Sequence, residues 1–218
     1  MKFETNERLL HHNMAIMGGF LAGYTILNRI HFLGTAQTNN MINFMIDLCG
    51  RNWWDAILRI GAFLCYILGT VLFVIVNRKS RFSVKYISLL INLLAYLIIG
   101  LLPEDFESIL VWYPAFFAVS FQWNAFPGGY GHISSTIFST NNIKQATLSM
   151  TEYLLEKRKD DAKRKRAFFF MTSFLCFEIG VFFSYIFTQL LGVRAIFCDG
   201  LFAIPAFFFI RNERNYAK

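Results

Sequence analysis

The sequence predicts an all-α, polytopic membrane protein with six transmembrane crossings, two short half-helices and an inverted 3+3 internal repeat. Three observations predict this class. The chain of 218 residues is 56% hydrophobic, it holds several apolar runs of membrane-spanning length, and two short motifs recur in the same order in both halves. Soluble domains are usually about 45–50% apolar. A membrane β-barrel would show alternating strands in place of continuous apolar runs.

Six apolar segments account for the expected crossings. About 20 apolar residues are needed to span the ~30 Å hydrocarbon core as a helix. The region before residue 14 is polar, with balanced charge and no A-x-A cleavage pattern, so the first segment is expected to be a retained helix and not a signal peptide. In chain order the segments are 14–32, 56–76, 86–102, 108–126, 168–191 and 195–210.

The charged loops orient these crossings. The stretch 78–85 holds four basic residues and no acid, and the run from Glu156 to Arg166 holds seven basic residues and three acids, whereas 103–107 holds three acids and no base. Because loops rich in Lys and Arg stay on the cytoplasmic side, both basic loops and both termini are expected in the cytoplasm. The excess charge of +7 then reports orientation and contact with anionic lipid headgroups. No solvated basic domain suited to nucleic acid is evident.

Two short segments are expected not to cross. Residues 38–50 and the segment that begins at Thr140 each lie between two crossings. If both crossed, the two basic loops would fall on opposite sides of the membrane and one would break the charge rule. We therefore expect each segment to enter and leave on one side. Eight full spans is the competing count.

A repeated pattern divides the single domain 1–218 into halves at 1–105 and 106–218. Thr38-Asn39-Asn40 recurs as Thr140-Asn141-Asn142, 102 residues later, and FLCYILG at 63–69 recurs as FLCFEIG at 174–180, 111 residues later. Two matches in the same order indicate duplication. With three crossings per half, the second copy would lie inverted. Inverted repeats are typical of secondary transporters, whose sites lie at the repeat interface.

The triplets are the first candidates for a solute site. Thr and Asn favour helix N-caps, and a helix start that points into the membrane presents N–H groups suited to an anion or a polar solute. The alternative is that the triplets only cap buried helices. The predicted substrate-binding residues are Thr38, Asn39, Asn40, Thr140, Asn141, Asn142, Gln122, Asn124, Asn28 and Arg29.

Charged groups at membrane depth are functional candidates. Glu178 occupies the position that Ile67 holds in the other half, so duplication alone does not require it. It is the predicted coupling residue for proton movement, with an ion pair to a neighbouring Lys or Arg as the alternative. Arg29 could instead extend its charge to the membrane surface.

These observations favour a small secondary transporter or permease for a small polar or anionic solute. No catalytic triad, HExxH motif or paired carboxylate is present, and the four cysteines have no C-x-x-C spacing, so no catalytic residue, metal or cofactor is predicted. One alternative is a membrane-embedded enzyme acting on a lipid-like substrate, for which His31, His132 and Glu178 are the candidates. The other is a non-catalytic interaction protein that docks through residues 156–166. Six crossings are few for a complete pathway, so a homodimer is one expected arrangement.

The chain also resembles a known family. The stretch SILVWYPAFFAVSFQWNAF with SSTIFSTNNIKQ, and GGFLAGYTILNRIHFLGTAQTNNMI in the first half, are similar to the YoaK-like family of uncharacterised bacterial membrane proteins. The resemblance covers about residues 14–211. The family often has Thr-Gly-Asn where this chain has Thr38-Asn39-Asn40. Membership implies a multi-pass protein of the bacterial plasma membrane and supplies no catalytic residues.

Overall fold

The computed structural model describes residues 2–216, and the side chains of residues 4–213. The last two residues of the predicted cytoplasmic tail lie outside the described part. The all-α prediction is confirmed. The principal helices are α1 (Lys2–Leu27), α2 (Gln37–Cys49), α3 (Trp53–Lys79), α4 (Val84–Leu101), α5 (Tyr113–Ala125), α6 (Thr140–Leu155), α7 (Asp161–Leu191), the single turn α8 (Ile196–Asp199) and α9 (Ala203–Tyr216). A small hairpin of β1 (Gly128–Gly129) and β2 (His132–Ile133) separates α5 from α6.

The exterior is apolar enough for a membrane. Three helical segments of the described chain are long and apolar enough to cross one: Trp53–Lys79, Val84–Leu101 and the run Asp161–Glu213. Helix α3 exposes Leu64, Leu68 and Val71, and α4 exposes Leu90 and Leu97. Contiguous exposed apolar surface of this kind marks contact with a membrane or a partner. The protein is therefore membrane-like, whereas the count of six crossings stays a prediction.

Helix α1 lies at the centre of the fold. All but one of its residues from Leu10 to Thr25 are buried, and Met14, Phe20 and Tyr24 are fully enclosed. Its longest interface is with α7, and α9 covers another side. Asn6 and Asn13 of α1 each donate a side-chain hydrogen bond, 2.8 Å long, to a backbone carbonyl in or just before α9. Thus the stretch of α1 from Leu10 to Thr25 is enclosed by protein.

The helices pair in a regular way. In the α1–α7 pair, Gly19 meets Phe177 near the middle of both helices and Asn28 meets Thr188 near both carboxyl ends, so the two helices run parallel. The α3–α5 pair is also parallel. The Tyr113 hydroxyl donates to the Leu58 carbonyl (2.6 Å) near the start of both helices, and Phe73 meets Phe121 edge-on toward their ends.

The short helices each pack on one long helix. Helix α2 packs on α3, and α6 packs on α7. The N-cap positions of α2 and α6 are occupied by Ala36 and Ser139, and neither residue makes a side-chain capping hydrogen bond. Both triplets begin after the N-cap, inside the helix. Thr38, Asn39 and Asn40 therefore lie inside the first turns of α2, and the expected capping role of the triplets is wrong.

Glycines permit the close helix contacts. A Cβ atom on Gly180 would lie 2.0 Å from the Ile16 carbonyl oxygen of α1, and one on Gly69 would lie 2.4 Å from the Phe117 carbonyl oxygen of α5. Backbone atoms cannot move aside as a flexible side chain can. Small residues are the usual means by which membrane helices approach closely.

Gly180→Ala should therefore separate α1 from α7 and reduce the free energy of unfolding by about 1–3 kcal/mol, the usual cost of overpacking. The measurement is the midpoint of thermal unfolding in detergent, followed by size-exclusion chromatography. Gly200→Ala is the control, because its Cβ would meet only the flexible end of Leu93, at 3.3 Å. Equal midpoints for the two variants would contradict the close-contact role of Gly180.

Candidate functional site

The two polar triplets lie on separate helix pairs. Asn40 is fully buried and its amide donates to the Arg59 carbonyl of α3 (2.9 Å). Asn142 is also fully buried; its amide nitrogen donates to the Ser135 carbonyl (3.0 Å), and its oxygen accepts from the Ser134 hydroxyl (2.8 Å). The last residue of each triplet thus ties its short helix to neighbouring backbone.

The remaining triplet residues lie nearer the surface. Thr38, Thr140 and Asn141 are exposed, and Asn39 is half-buried. Asn43 donates from its amide to the backbone oxygen of Asn39 (2.8 Å). The structure does not bring the two triplets into one cavity.

Arg29 holds the end of α4. Its buried guanidinium donates to the carbonyls of Ile99 (3.1 Å), Leu102 (3.0 Å) and Pro103. The last carbonyls of a helix lack partners within the helix and carry partial negative charge. The Arg29 guanidinium gives these carbonyls hydrogen-bond donors and a compensating positive charge. Adjacent Asn28 donates to the carbonyl one turn earlier in α1 (3.0 Å) and to a threonine hydroxyl of α7 (3.3 Å). Asn28 and Arg29, both predicted to bind substrate, therefore make hydrogen bonds that hold helices of the fold together.

A central polar cluster lies where α1, α4 and α5 meet. The Asn92 amide donates to the Gln122 side-chain oxygen (2.6 Å), and the Gln122 amide reaches the Thr136 hydroxyl (3.2 Å) and the Met14 carbonyl (3.4 Å). The side chains are buried, and Ser88 lies one helical turn from Asn92 on the same face of α4. We use the name central cluster for Ser88, Asn92, Gln122 and Thr136.

The central cluster has unused hydrogen-bonding capacity. Within the described residues, neither the Ser88 hydroxyl nor the Asn92 side-chain oxygen has a hydrogen-bond partner. Buried polar atoms are nearly always paired, so such exceptions mark functional positions or sites for a bound molecule. Gln122 was predicted from the sequence, whereas Ser88 and Asn92 were missed. Predicted Asn124 lies outside the cluster, half-buried, and donates to the Ser120 carbonyl (2.8 Å) of its own helix.

Two acids in apolar helices have opposite environments. Glu178 is exposed on α7 beside Ile179 and Phe182, which are exposed as well. Asp199, in α8, is fully buried, and among the described residues neither carboxylate oxygen makes a hydrogen bond of standard geometry, although the Tyr96 side chain acts on it as a hydrogen-bonding neighbour. Tyr96 of α4, also buried, interacts electrostatically with it. The sequence signal for Asp199 was the one applied to Glu178, namely a single acid within an apolar run.

A mixed-charge recess of about 420 Å³ opens near the end of α1. Its polar lining comes from four parts of the chain, and Arg59 in its wall pairs with Asp47 and stacks over the Phe32 ring at 5.2 Å. The polar lining residues are His31, Asn39, Asn43, Asp55, Arg59, Glu107 and Ser108.

A basic recess of about 560 Å³ opens near the start of α1. It lies between α1, the β1–β2 turn and the start of α7. Its polar lining residues are Arg8, His12, Tyr130, Arg164, Lys165 and Thr172. Since His12 and Leu27 are separated by about 22 Å of helix, the two recesses lie at opposite ends of α1.

Three histidines surround Phe169 beside the basic recess. The ring centroids of His11, His12 and His132 lie 5.2, 5.6 and 5.4 Å from that of Phe169. His11 and His12 precede residue 14, where the first expected crossing starts. Burial and the neighbouring His12 lower the pKa of His11 to about 3, and burial together with the charge of Arg8 lowers the pKa of His12 to about 4. Burial also lowers the pKa of His132.

The three residues expected of a membrane enzyme are dispersed. His31 lines the mixed-charge recess, His132 lies against Phe169 toward the other end, and Glu178 is exposed on α7. They do not form one reactive group in this structure.

Comparison with known proteins gives a family. A family model described as a protein of unknown function, DUF1275, matches residues 10–209. The YoaK-like resemblance agrees with this match. No curated protein and no solved structure shows significant similarity to the chain.

The buried histidines should make the fold sensitive to acid. Because their folded-state pKa values lie below the ordinary value of about 6.5, the unfolded chain takes up protons first as the pH falls. The free energy of unfolding contributed by neutral His11 is complete above pH 6.5 and decreases between about pH 6.5 and pH 3. His11→Gln should flatten this dependence by up to about 1.4 kcal/mol per pH unit.

The measurement is the thermal midpoint across pH 4–8 in detergent. Gln can keep the hydrogen bond that the His11 Nε2 shares with the Ser134 hydroxyl (2.9 Å). His31→Gln, at an exposed position, is the control and should leave the pH dependence unchanged. A His11→Gln profile as steep as that of the wild type would refute the assignment.

Proposed function

The chain belongs to the DUF1275 family, and from this premise we propose that the protein is a small secondary transporter for a small polar or anionic solute. The observation that carries the proposal is the central cluster. It consists of buried polar side chains with two unpaired atoms, in the middle of a protein with an apolar exterior. A packing role alone would not require unpaired groups, which are costly in a medium of low dielectric.

The arrangement of the helices supports an inverted repeat. In the first half α1, α3 and α4 follow one another, and in the second half α5, α7 and α9 do. Helix α1 pairs with α7, and α5 pairs with α3, so the first helix of each half packs on the middle helix of the other. The matched glycines, Gly69 and Gly180, lie at these two contacts. Transporters with inverted repeats bind their solutes between the halves.

The central cluster lies at the boundary between the halves. Asn92 and the Met14 carbonyl belong to the first half, and Gln122 and Thr136 belong to the second. Met14 lies midway along α1 and Asn92 midway along α4. In our proposal, rocking of one half against the other exposes these side chains alternately toward the mixed-charge recess and toward the opposite end. The amides and the arginine that line the mixed-charge recess would contact the solute first.

The orientation follows the charge. The basic recess, the loop 78–85 and the run 156–166 would face the cytoplasm of a bacterial cell, and the mixed-charge recess would face outward. The exposed apolar face of α7 around Glu178 is where we place the expected homodimer contact.

Uptake by reconstituted protein tests the central cluster. A panel of small polar and anionic solutes is screened by uptake into proteoliposomes and by thermal shift in detergent. Asn92→Leu with Gln122→Leu removes both partners of the hydrogen bond between the two amides, which costs less stability than removing one partner alone. The Thr136 hydroxyl and the Met14 carbonyl lose the Gln122 amide as a donor. The double variant should stay folded and lose uptake by about tenfold or more, as expected for at least one lost polar contact.

Asn124→Leu is the matched control, because that amide bonds only within α5, and it should retain uptake. A folded double variant that takes up solute at the wild-type rate would rule out the central cluster. Absence of uptake by the wild type for every solute in the panel would count against transport itself.

The buried acid is our candidate for coupling. A fully buried acid inside a membrane protein is costly and is a functional candidate. Asp199 is fully buried whereas Glu178 is exposed, so Asp199 fits this description better. Asp199→Asn should abolish the stimulation of uptake by a pH gradient while leaving solute exchange between the two sides.

Glu178→Gln is the matched variant for coupling, since it also removes one acid from an apolar helix. We expect it to retain the stimulation, measured as the ratio of initial uptake rates with and without the gradient. Loss of stimulation in Glu178→Gln alone would return the coupling role to Glu178.

A further inference from the structure

The basic recess has the features of a binding site for an anion. Arg8 comes from α1, and Arg164 and Lys165 come from the start of α7, so two separate helices supply positive charge to one cavity of about 560 Å³, which His12 of α1 also lines. Asp161 pairs with Arg164 (2.7 Å) and with Lys165 (3.3 Å), but one carboxylate shared by two cations leaves the cavity positively charged. A nearby glutamate, at position 7, accepts from the Tyr130 backbone N–H (3.1 Å).

A buried polar atom in the wall has no partner. His12 is 9% exposed, and within the described residues its Nε2 makes no hydrogen bond of standard geometry, although the Phe169 backbone interacts with the ring. The ring lines the cavity beside Arg8. An orphaned nitrogen at this depth is explained by a molecule that occupies the cavity. A neutral imidazole can donate one hydrogen bond to an oxygen of such a molecule.

The cavity continues into the apolar exterior. Leu9 and Phe168 line it and are also 42% and 58% exposed. Charged residues occupy α7 through Arg166, and an apolar stretch begins at Ala167. The recess therefore lies at the level where α7 passes from polar to apolar surroundings, which is the level of lipid headgroups. Acyl chains could lie against Leu9 and Phe168 while a headgroup fills the recess.

From these features we propose that the basic recess binds a phosphate group, and that the headgroup of an anionic phospholipid supplies it. Arginine is well suited to phosphate because its fork of N–H groups matches the phosphate oxygens. The site is narrower than the whole run 156–166 expected from the sequence, since only Arg164 and Lys165 of that run line the recess. Binding at this recess is independent of solute transport.

The test uses the full-length protein in a neutral detergent. Dioleoyl phosphatidylglycerol, dioleoyl phosphatidylcholine and inorganic phosphate are titrated separately, and the thermal midpoint is recorded. Native mass spectrometry counts the lipid retained by the wild type. We expect phosphatidylglycerol to stabilise the protein and to be retained in preference to phosphatidylcholine, and inorganic phosphate alone to have little effect.

The variant Arg8→Gln with Arg164→Gln should weaken the apparent affinity for phosphatidylglycerol by about tenfold or more, as expected when charge-assisted hydrogen bonds are lost. Its matched control is Lys157→Gln with Arg158→Gln, which removes two exposed charges from the same basic run outside the recess. The control should change the affinity by no more than about twofold, since exposed charges contribute little individually.

Each alternative result overturns the proposal in a defined way. Equal weakening by the two double variants would show diffuse surface attraction in place of a defined site. Stabilisation by inorganic phosphate equal to that by phosphatidylglycerol would assign the phosphate to a soluble ion and overturn the lipid source. Equal retention of the two lipids by the wild type would remove the anion preference altogether.

Discussion

The close contact of α1 with α7 is the constraint on which the rest of the structure depends. Gly19 and Gly180 allow it, because a Cβ atom at either position would lie within 2.0 Å of a backbone oxygen of the facing helix. Between membrane helices there is little hydrophobic driving force, so packing and hydrogen bonds determine which helices associate. With α1 held against α7 on one side and α9 on another, a helix whose start is polar becomes the central element of the protein.

Burial of α1 leads directly to the polar interior. Its backbone and side chains bring polar groups to depths where water is scarce, and the fold satisfies most of them. Arg29 completes the end of α4, and two asparagines of α1 bond carbonyls in or near α9. Among the described residues several buried polar atoms remain unpaired, including those of Ser88, Asn92, Trp112 and Ser184. Ser88 and Asn92 differ from the others because they lie together beside Gln122 in the central cluster. Because buried polar atoms are usually paired, a group of unpaired ones makes the central cluster our strongest candidate for a functional site.

The two ends of α1 differ in charge although the helix pairs around it are alike. One recess mixes acids, amides and an arginine, and the other is dominated by Arg8, Arg164 and Lys165. In our two proposals, the basic recess binds lipid phosphate at one end of α1 and the mixed-charge recess admits a solute at the other.

The sequence by itself determined the helical class, the membrane-like character, the approximate positions of α3, α4 and α7 and the concentration of positive charge in two loops. It also identified Gln122, now part of the central cluster. It did not determine where α1 begins, since that helix starts at Lys2 and the first apolar segment was expected from residue 14. It did not determine which polar residues are buried. In the first triplet Asn40 is buried while Thr38 is exposed, and of the two acids in apolar segments Asp199 is buried while Glu178 is exposed. Only the tertiary structure decided this. A helix that is apolar on every side has no sequence signal that distinguishes the face toward protein from the face toward lipid, because both surroundings favour the same side chains.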